Sequence, residues 1–199
     1  ASEGYEATGE PTEGIGHAMV ADDTERAARL VEVAAPAWFR DRQEATARRW
    51  LTSLPSALFP DRPVLSIQLV GARMVSGETT GIEPLLDDIE RWCRPGADTS
   101  GAVVFEEEEL VHLPAQVAVY RAALSLMAGD TAGTIEHADR ARELAGAHDH
   151  VRRGSAAALV GLAQWTVGRL DDGARSYADA IDGLTAADHI SDVLGCTIA

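Results

Sequence analysis

Apolar residues recur at three- and four-residue spacing along most of the chain, interrupted by glycine, proline and aspartate. That period belongs to amphipathic helices with one buried face. Thr12 to Ala21 reads as a short helix, broken at Asp22 and Asp23. Thr24 is then the expected cap of a helix whose apolar positions are Ala27, Leu30, Val31, Ala34 and Ala35, closed by Trp38 and Phe39. Pro36 should kink that helix or end it early, because proline brings no N–H to the ladder. Arg42 to Leu54 is a further amphipathic helix, and Pro55 to Pro63, with three prolines and an aspartate, is a loop. Pro63 suits the first turn of the next helix, where the missing N–H costs nothing. Residues 63–76 are apolar nearly all round, the mark of a helix buried between neighbours. Gly77-Glu78 ends it, and Ile82, Leu85, Leu86, Ile89 and Trp92 form the stripe of its partner, closed by Pro95-Gly96.

Residues 94–101, rich in Gly, Pro, Ser and Asp, are the one plausible internal subdivision. Glu106 to Glu109 follow, an acidic run that complements the macrodipole at a helix start better than it suggests a cation site. Pro114 either lies inside one long helix or opens a new one. Beyond it the pattern predicts helices over 114–128, 131–145, 151–167 and 170–186, and a last one beginning near Asp188. Turns fall at Gly129-Asp130 and Gly168-Arg169, and His148-Asp149-His150 falls in a loop.

The helices come in pairs. Gly129 and Gly168 are 39 residues apart, and superposing them sets Leu126 on Trp165, Ala138 on Tyr177 and Ala141 on Ala180. Gly161, Gly168, Tyr177 and Ala180 then fill the small, turn, aromatic and small positions of a tetratricopeptide-type (TPR-like) unit. An earlier pair turns at Gly77. With no strand signal anywhere, the expected fold is all-α: one domain over residues 1–199, a TPR-like helical-hairpin repeat solenoid wound as a right-handed superhelix, in preference to a plain helical bundle.

Composition narrows the function. The chain has 17 basic and 32 acidic residues, a net charge of -15, which repels nucleic-acid phosphates and anionic membrane surfaces. Every basic residue is arginine; the absence of lysine reads as the imprint of a GC-rich genome. It also excludes the lysine of a phosphate-cradling loop and Schiff-base chemistry. Cys93 and Cys196 are far apart without metal-type spacing, no signal-peptide pattern precedes them, and a reducing cytoplasm is expected. The longest apolar run, Val64 to Val70, is too short to span a bilayer.

No catalytic constellation is visible: neither a Gly-x-Ser-x-Gly elbow nor a His-Glu-x-x-His pair occurs, so no enzyme, cofactor or metal is expected. His148, Asp149 and His150 with His137 are the one cluster a metal could use, but without a third ligand they read as solvated loop polarity. His17 reads as a packing and capping residue. Of the four tryptophans, Trp38, Trp50 and Trp92 read as core, whereas Trp165 aligns with the first helix of its pair, the layer that lines the inner groove of such solenoids. Arg73, Gln116, Arg121 and Gln164 are polar interruptions of otherwise apolar first helices. With Trp165 they are the candidates to face a ligand or partner groove; facing water is the plain alternative.

Two stretches carry more than a generic repeat. The first is His17-Ala18-Met19 leading through Asp22-Asp23 to Glu25-Arg26-Ala27-Ala28-Arg29-Leu30-Val31-Glu32. The second is Trp50-Leu51-Thr52-Ser53-Leu54-Pro55, then Arg62-Pro63-Val64-Leu65, closed by Ser76-Gly77. In that order they resemble the sensor region of the large MalT-like regulators of the LuxR family, from about Tyr5 to the end and most closely between Ile15 and Gly77. Met19 and Val20 replace a usual Leu-Ala, and Thr79 to Gly81 departs from the pattern. The resemblance implies a parent protein whose ATPase module precedes this region and whose helix-turn-helix follows it, both absent from this sequence. It implies that this segment binds a small-molecule inducer or a regulatory protein and passes the event on, without DNA binding or catalysis of its own. The rival reading is a free-standing TPR-type scaffold for protein–protein interaction. Self-association through the ends of the repeat stack is expected in either case.

Overall fold

The computed structural model describes residues 11–94 and 96–198. Tyr5, where the resemblance begins, and Pro95 lie outside the described residues. Among the described residues there are ten α-helices and no strand, so the chain is all-α. It divides into two compact units between Val111 and His112.

The first unit opens with α1 (Pro11–Val20), which buries Ile15 and Ala18. Asp22, at φ +57°, turns the chain. The cap of α2 (Thr24–Arg40) is Asp23 and not Thr24: its carboxylate accepts the Arg26 N–H at 3.2 Å. A carboxylate one residue earlier both reaches the free N–H and complements the dipole. The expected interruption at Pro36 does not end this helix. Proline leaves the carbonyl four residues back without its donor, here that of Glu32, and the Gln68 side-chain amide from another helix donates to it at 2.9 Å. The replacement lets α2 run on to bury Trp38.

The next helix, α3 (Glu44–Ser53), starts two residues later than the pattern suggests, because Arg42 sits at φ +58° in the turn before it. Leu54 is extended, as a residue before proline must be, and ends it. A single 3₁₀ turn, Ser56–Leu58, lies in the proline loop. Pro63 occupies the first turn of α4 (Pro63–Val75), in which every residue from Pro63 to Ala72 is buried. Its partner α5 (Ile82–Cys93) buries Ile82, Leu86 and Ile89. Val31, Ala35, Leu51, Leu65 and Leu69 belong to one core shared by α1 to α4.

A single helix, α6 (Glu107–Met127), runs through Pro114, with Glu107, Glu108 and Glu109 in its first turn. It has the length and mean hydropathy of a membrane span. Its residues Ala118, Val119 and Ala122 are buried against Ala138, Ala141, Ala156 and Val160 of the second unit's core. That unit continues with α7 (Thr131–Leu144), α8 (His150–Thr166), α9 (Leu170–Ala186) and α10 (Ile190–Ile198). Gly129 and Gly168 hold φ +76° and +79°, the left-handed region that glycine enters freely, and turn the chain at equivalent places 39 residues apart. Ala141 and Ala180, matched by that spacing, are both fully buried. Helices α8 and α9 approach closely: a Cβ on Gly161 would lie 3.2 Å from the Tyr177 ring.

Candidate functional site

Polar side chains of the second unit gather where α6 meets the start of α8. Asp149, expected in a loop, is the N-cap of α8, and His150 is already helical. The Asp149 carboxylate accepts the Arg152 N–H at 3.2 Å and lies 2.8 Å from the His112 Nδ1 of α6. Its side chain is 3% exposed, and the Arg152 guanidinium stands 3.5 Å away. Arg152 Nε donates to Gln116 Oε1 at 3.1 Å. The Tyr120 phenol, one turn along α6 from Gln116, is pushed up to about 12 by burial, against the opposing Arg152 charge and a hydrogen bond with Gln116. It therefore stays neutral and able to donate. A carboxylate, a guanidinium and a carboxamide are thus locked together on the α6–α8 face, an arrangement suited to fixing helices or recognising a polar group.

The far end of α8 is apolar. Trp165 is 46% exposed and, with Leu170, Tyr177, Ala178 and Ile181 of α9 and Cys196 of α10, lines a groove of about 450 Å³. On the neighbouring face, Gln164, Arg169, Asp172, Arg175 and Ser176 line a polar groove of about 430 Å³. Gln164 Oε1 there accepts the Ser176 hydroxyl at 2.9 Å, and Arg169 Nε donates to Asp172 at 2.7 Å. An apolar slot beside a charged one offers a ligand both burial and orientation.

The five candidates from the sequence are therefore distributed. Gln116 and Arg121 lie on α6 and are half-buried; Gln164 and Trp165 are adjacent at the end of α8 and front the two grooves. Arg73 lies half-buried in the last turn of α4, in the first unit. Trp38 is buried and Trp50 and Trp92 half-buried, so Trp165 is the most exposed of the four. Asp149, Arg152, His112 and Tyr120 were not legible as a group. The available signal was the repeated Asp-His-aliphatic triplet at Asp149-His150-Val151 and Asp188-His189-Ile190, 39 residues apart, which marks a helix start.

The His148 and His150 rings stand edge to face, 6.4 Å apart. Among the described residues no group of three or more His, Cys, Asp or Glu is placed to hold a metal ion. Burial pushes the Cys93 thiol up to about 11, helped by Glu90, and raises Cys196 as well. Both are protonated at neutral pH, and a thiol is a far weaker nucleophile than a thiolate. Compared with protein-family models, with curated proteins and with solved structures, the chain has no match in any of the three.

Proposed function

We propose that this chain is the sensing segment of a MalT-like, LuxR-family transcription regulator, working in the cytoplasm by binding and conformational coupling rather than by catalysis or DNA contact. The ordered sequence words between His17 and Gly77 support the family reading. Tetratricopeptide-type stacking is supported by the 39-residue recurrence of a positive-φ glycine turn, by the paired buried alanines Ala141 and Ala180, and by Gly161 beneath Tyr177. The observation that carries a binding role is the apolar groove around the half-exposed Trp165, with the polar groove of Gln164 alongside. The ligand class that fits is a small inducer with an apolar body and a polar edge. It would act by a population shift, favouring whichever packing of α8, α9 and α10 it binds better.

A thermal-shift screen of the chain against a small-metabolite library tests this. A compound that raises Tm progressively with concentration, and loses that effect in Trp165→Ala, supports sensing, because binding to the native state stabilises by mass action. A broad library that leaves Tm unmoved favours the scaffold reading. Recovery of the complete gene then decides: an ATPase upstream and a helix-turn-helix downstream exclude a free-standing scaffold.

A further inference from the structure

Residues 102–106, between α5 and α6, have no helical or strand structure, yet they are fixed to the first unit. Val103 N–H donates to the Asp61 carbonyl at 2.7 Å. Two residues on, Phe105 N–H donates to the Glu32 carboxylate at 2.9 Å. The Phe105 ring lies over the Arg62 guanidinium, its centroid 5.3 Å from Cζ. The Glu106 N–H is set against the same carboxylate, so backbone N–H groups and one aromatic anchor hold the segment, the means by which a peptide docks on a protein surface.

The groups beneath this segment have binding capacity left over. Glu32 and Arg62 are each 1% exposed, yet Glu32 Oε2 and Arg62 Nη1 have no hydrogen-bond partner. Arg62 uses its other terminal nitrogen on Glu25. Buried polar atoms are nearly always paired, so the segment, although the Phe105 and Glu106 N–H groups both serve the Glu32 carboxylate, leaves these two atoms open. Its anchor is also loosely covered: Phe105 remains 37% exposed.

We propose that Glu32, Arg62 and the Asp61 carbonyl form a binding site for an extended aromatic peptide of a partner protein, and that residues 103–106 fill it in cis as a displaceable internal ligand. The better occupant keeps the backbone N–H groups and the ring and adds a neighbouring carboxamide. Its N–H reaches Glu32 Oε2 and its carbonyl reaches Arg62 Nη1, the two atoms that the internal segment leaves unpaired. Because a tethered segment competes at an effective concentration on the order of millimolar, a free peptide gains entry chiefly when the segment is weakened. This site lies in the first unit and does not depend on the sensing role of the Trp165 groove.

The test uses the full chain and two fluorescein-labelled pentapeptides, followed by anisotropy. One has the sequence of residues 102–106, Ala-Val-Val-Phe-Glu, and the other ends in Phe-Asn. Phe105→Ala should bind either peptide at least about tenfold more tightly than the wild type, since the cis competitor is weakened. The Phe-Asn peptide should bind more tightly than Phe-Glu, and adding Glu32→Gln should weaken binding again. If Phe105→Ala fails to fold, Val103→Pro, which removes the N–H to Asp61 and fixes that residue's φ while leaving Phe105 in place, serves the same comparison. Equal binding by wild type and variant, no binding by either, or indifference to Glu32→Gln overturns the proposal.

Discussion

The titration of Glu32 is tied to folding. Burial raises its pKa above the ordinary 4.5, and the Glu106 charge adds to this. The Phe105 and Glu106 N–H groups and the Arg62 guanidinium oppose the rise without cancelling it. The folded chain therefore holds this proton to higher pH than the unfolded chain does. The resulting stability is fully present below 4.5 and is lost as pH rises through the folded value. Urea midpoints over a pH series should show the wild type losing ground to Glu32→Gln as pH rises from acid to neutral, the difference then levelling off. A pH-independent difference would mean that the N–H groups and Arg62 fully offset burial. At the same scale, two glycines should answer differently to alanine. A Cβ on Gly154 would lie 2.8 Å from Leu184 Cγ and 3.1 Å from the Leu184 backbone nitrogen, so α8 and α9 must part. Gly154→Ala should cost about 1–3 kcal/mol, as overpacking does. Nothing lies within 4 Å of a Cβ on Gly146, which has no positive φ. Gly146→Ala should be neutral or gain up to about 1 kcal/mol, by restricting the unfolded chain. Urea midpoints at unchanged slope measure both.

Among the elements, α2 shows where a sequence reading stops. Periodicity gave its buried face, because Ala27, Leu30, Val31, Ala34 and Ala35 are local facts. The fate of Pro36 was not local. It depends on Gln68, 36 positions from Glu32 in the chain, whose amide takes the carbonyl that proline leaves free. Gln68 is one polar residue on an apolar helix, and no spacing rule links it to a proline on another. Asp149 escaped for a similar reason: its partner His112 is 37 residues away, and a loop aspartate and a buried cap look alike in sequence. The Gln164–Trp165 pair, by contrast, could be singled out in the sequence, since the 39-residue spacing sets Trp165 on Leu126, and its two side chains line the polar and the apolar groove. The Pro36–Gln68 link has a direct test in a double-mutant cycle. Gln68→Ala should cost about 1–3 kcal/mol by leaving the Glu32 carbonyl buried and unpaired. Pro36→Ala restores a backbone donor to the same oxygen, so Gln68→Ala should cost less in that background, with a coupling of about 1 kcal/mol. Strict additivity would show that the amide and the proline are unrelated.

Over the whole molecule, two electrostatic effects compete, and salt separates them. The net charge of -15 opposes compaction, and like charges gather at Glu107, Glu108 and Glu109 and at Asp171 and Asp172. Against this stand exposed ion pairs such as Arg48–Glu78, Arg91–Asp88, Arg140–Glu143 and Arg175–Asp172. Each pair contributes only about 0–1 kcal/mol and is itself weakened by salt. Repulsion among an excess of this size is summed over the whole surface, and added salt shortens its reach to about 8 Å at physiological ionic strength. Repulsion should dominate, so Tm should rise as sodium chloride is added from low to physiological strength. Chloride has no lysine to bind and only 17 basic side chains to pair with, which leaves screening as the main route for the effect. Sodium sulfate at matched ionic strength should raise Tm further, because sulfate also strengthens apolar burial. A Tm that falls with sodium chloride would mean that the arginine–carboxylate pairs, and not the net charge, set the response of the fold to its ionic surroundings.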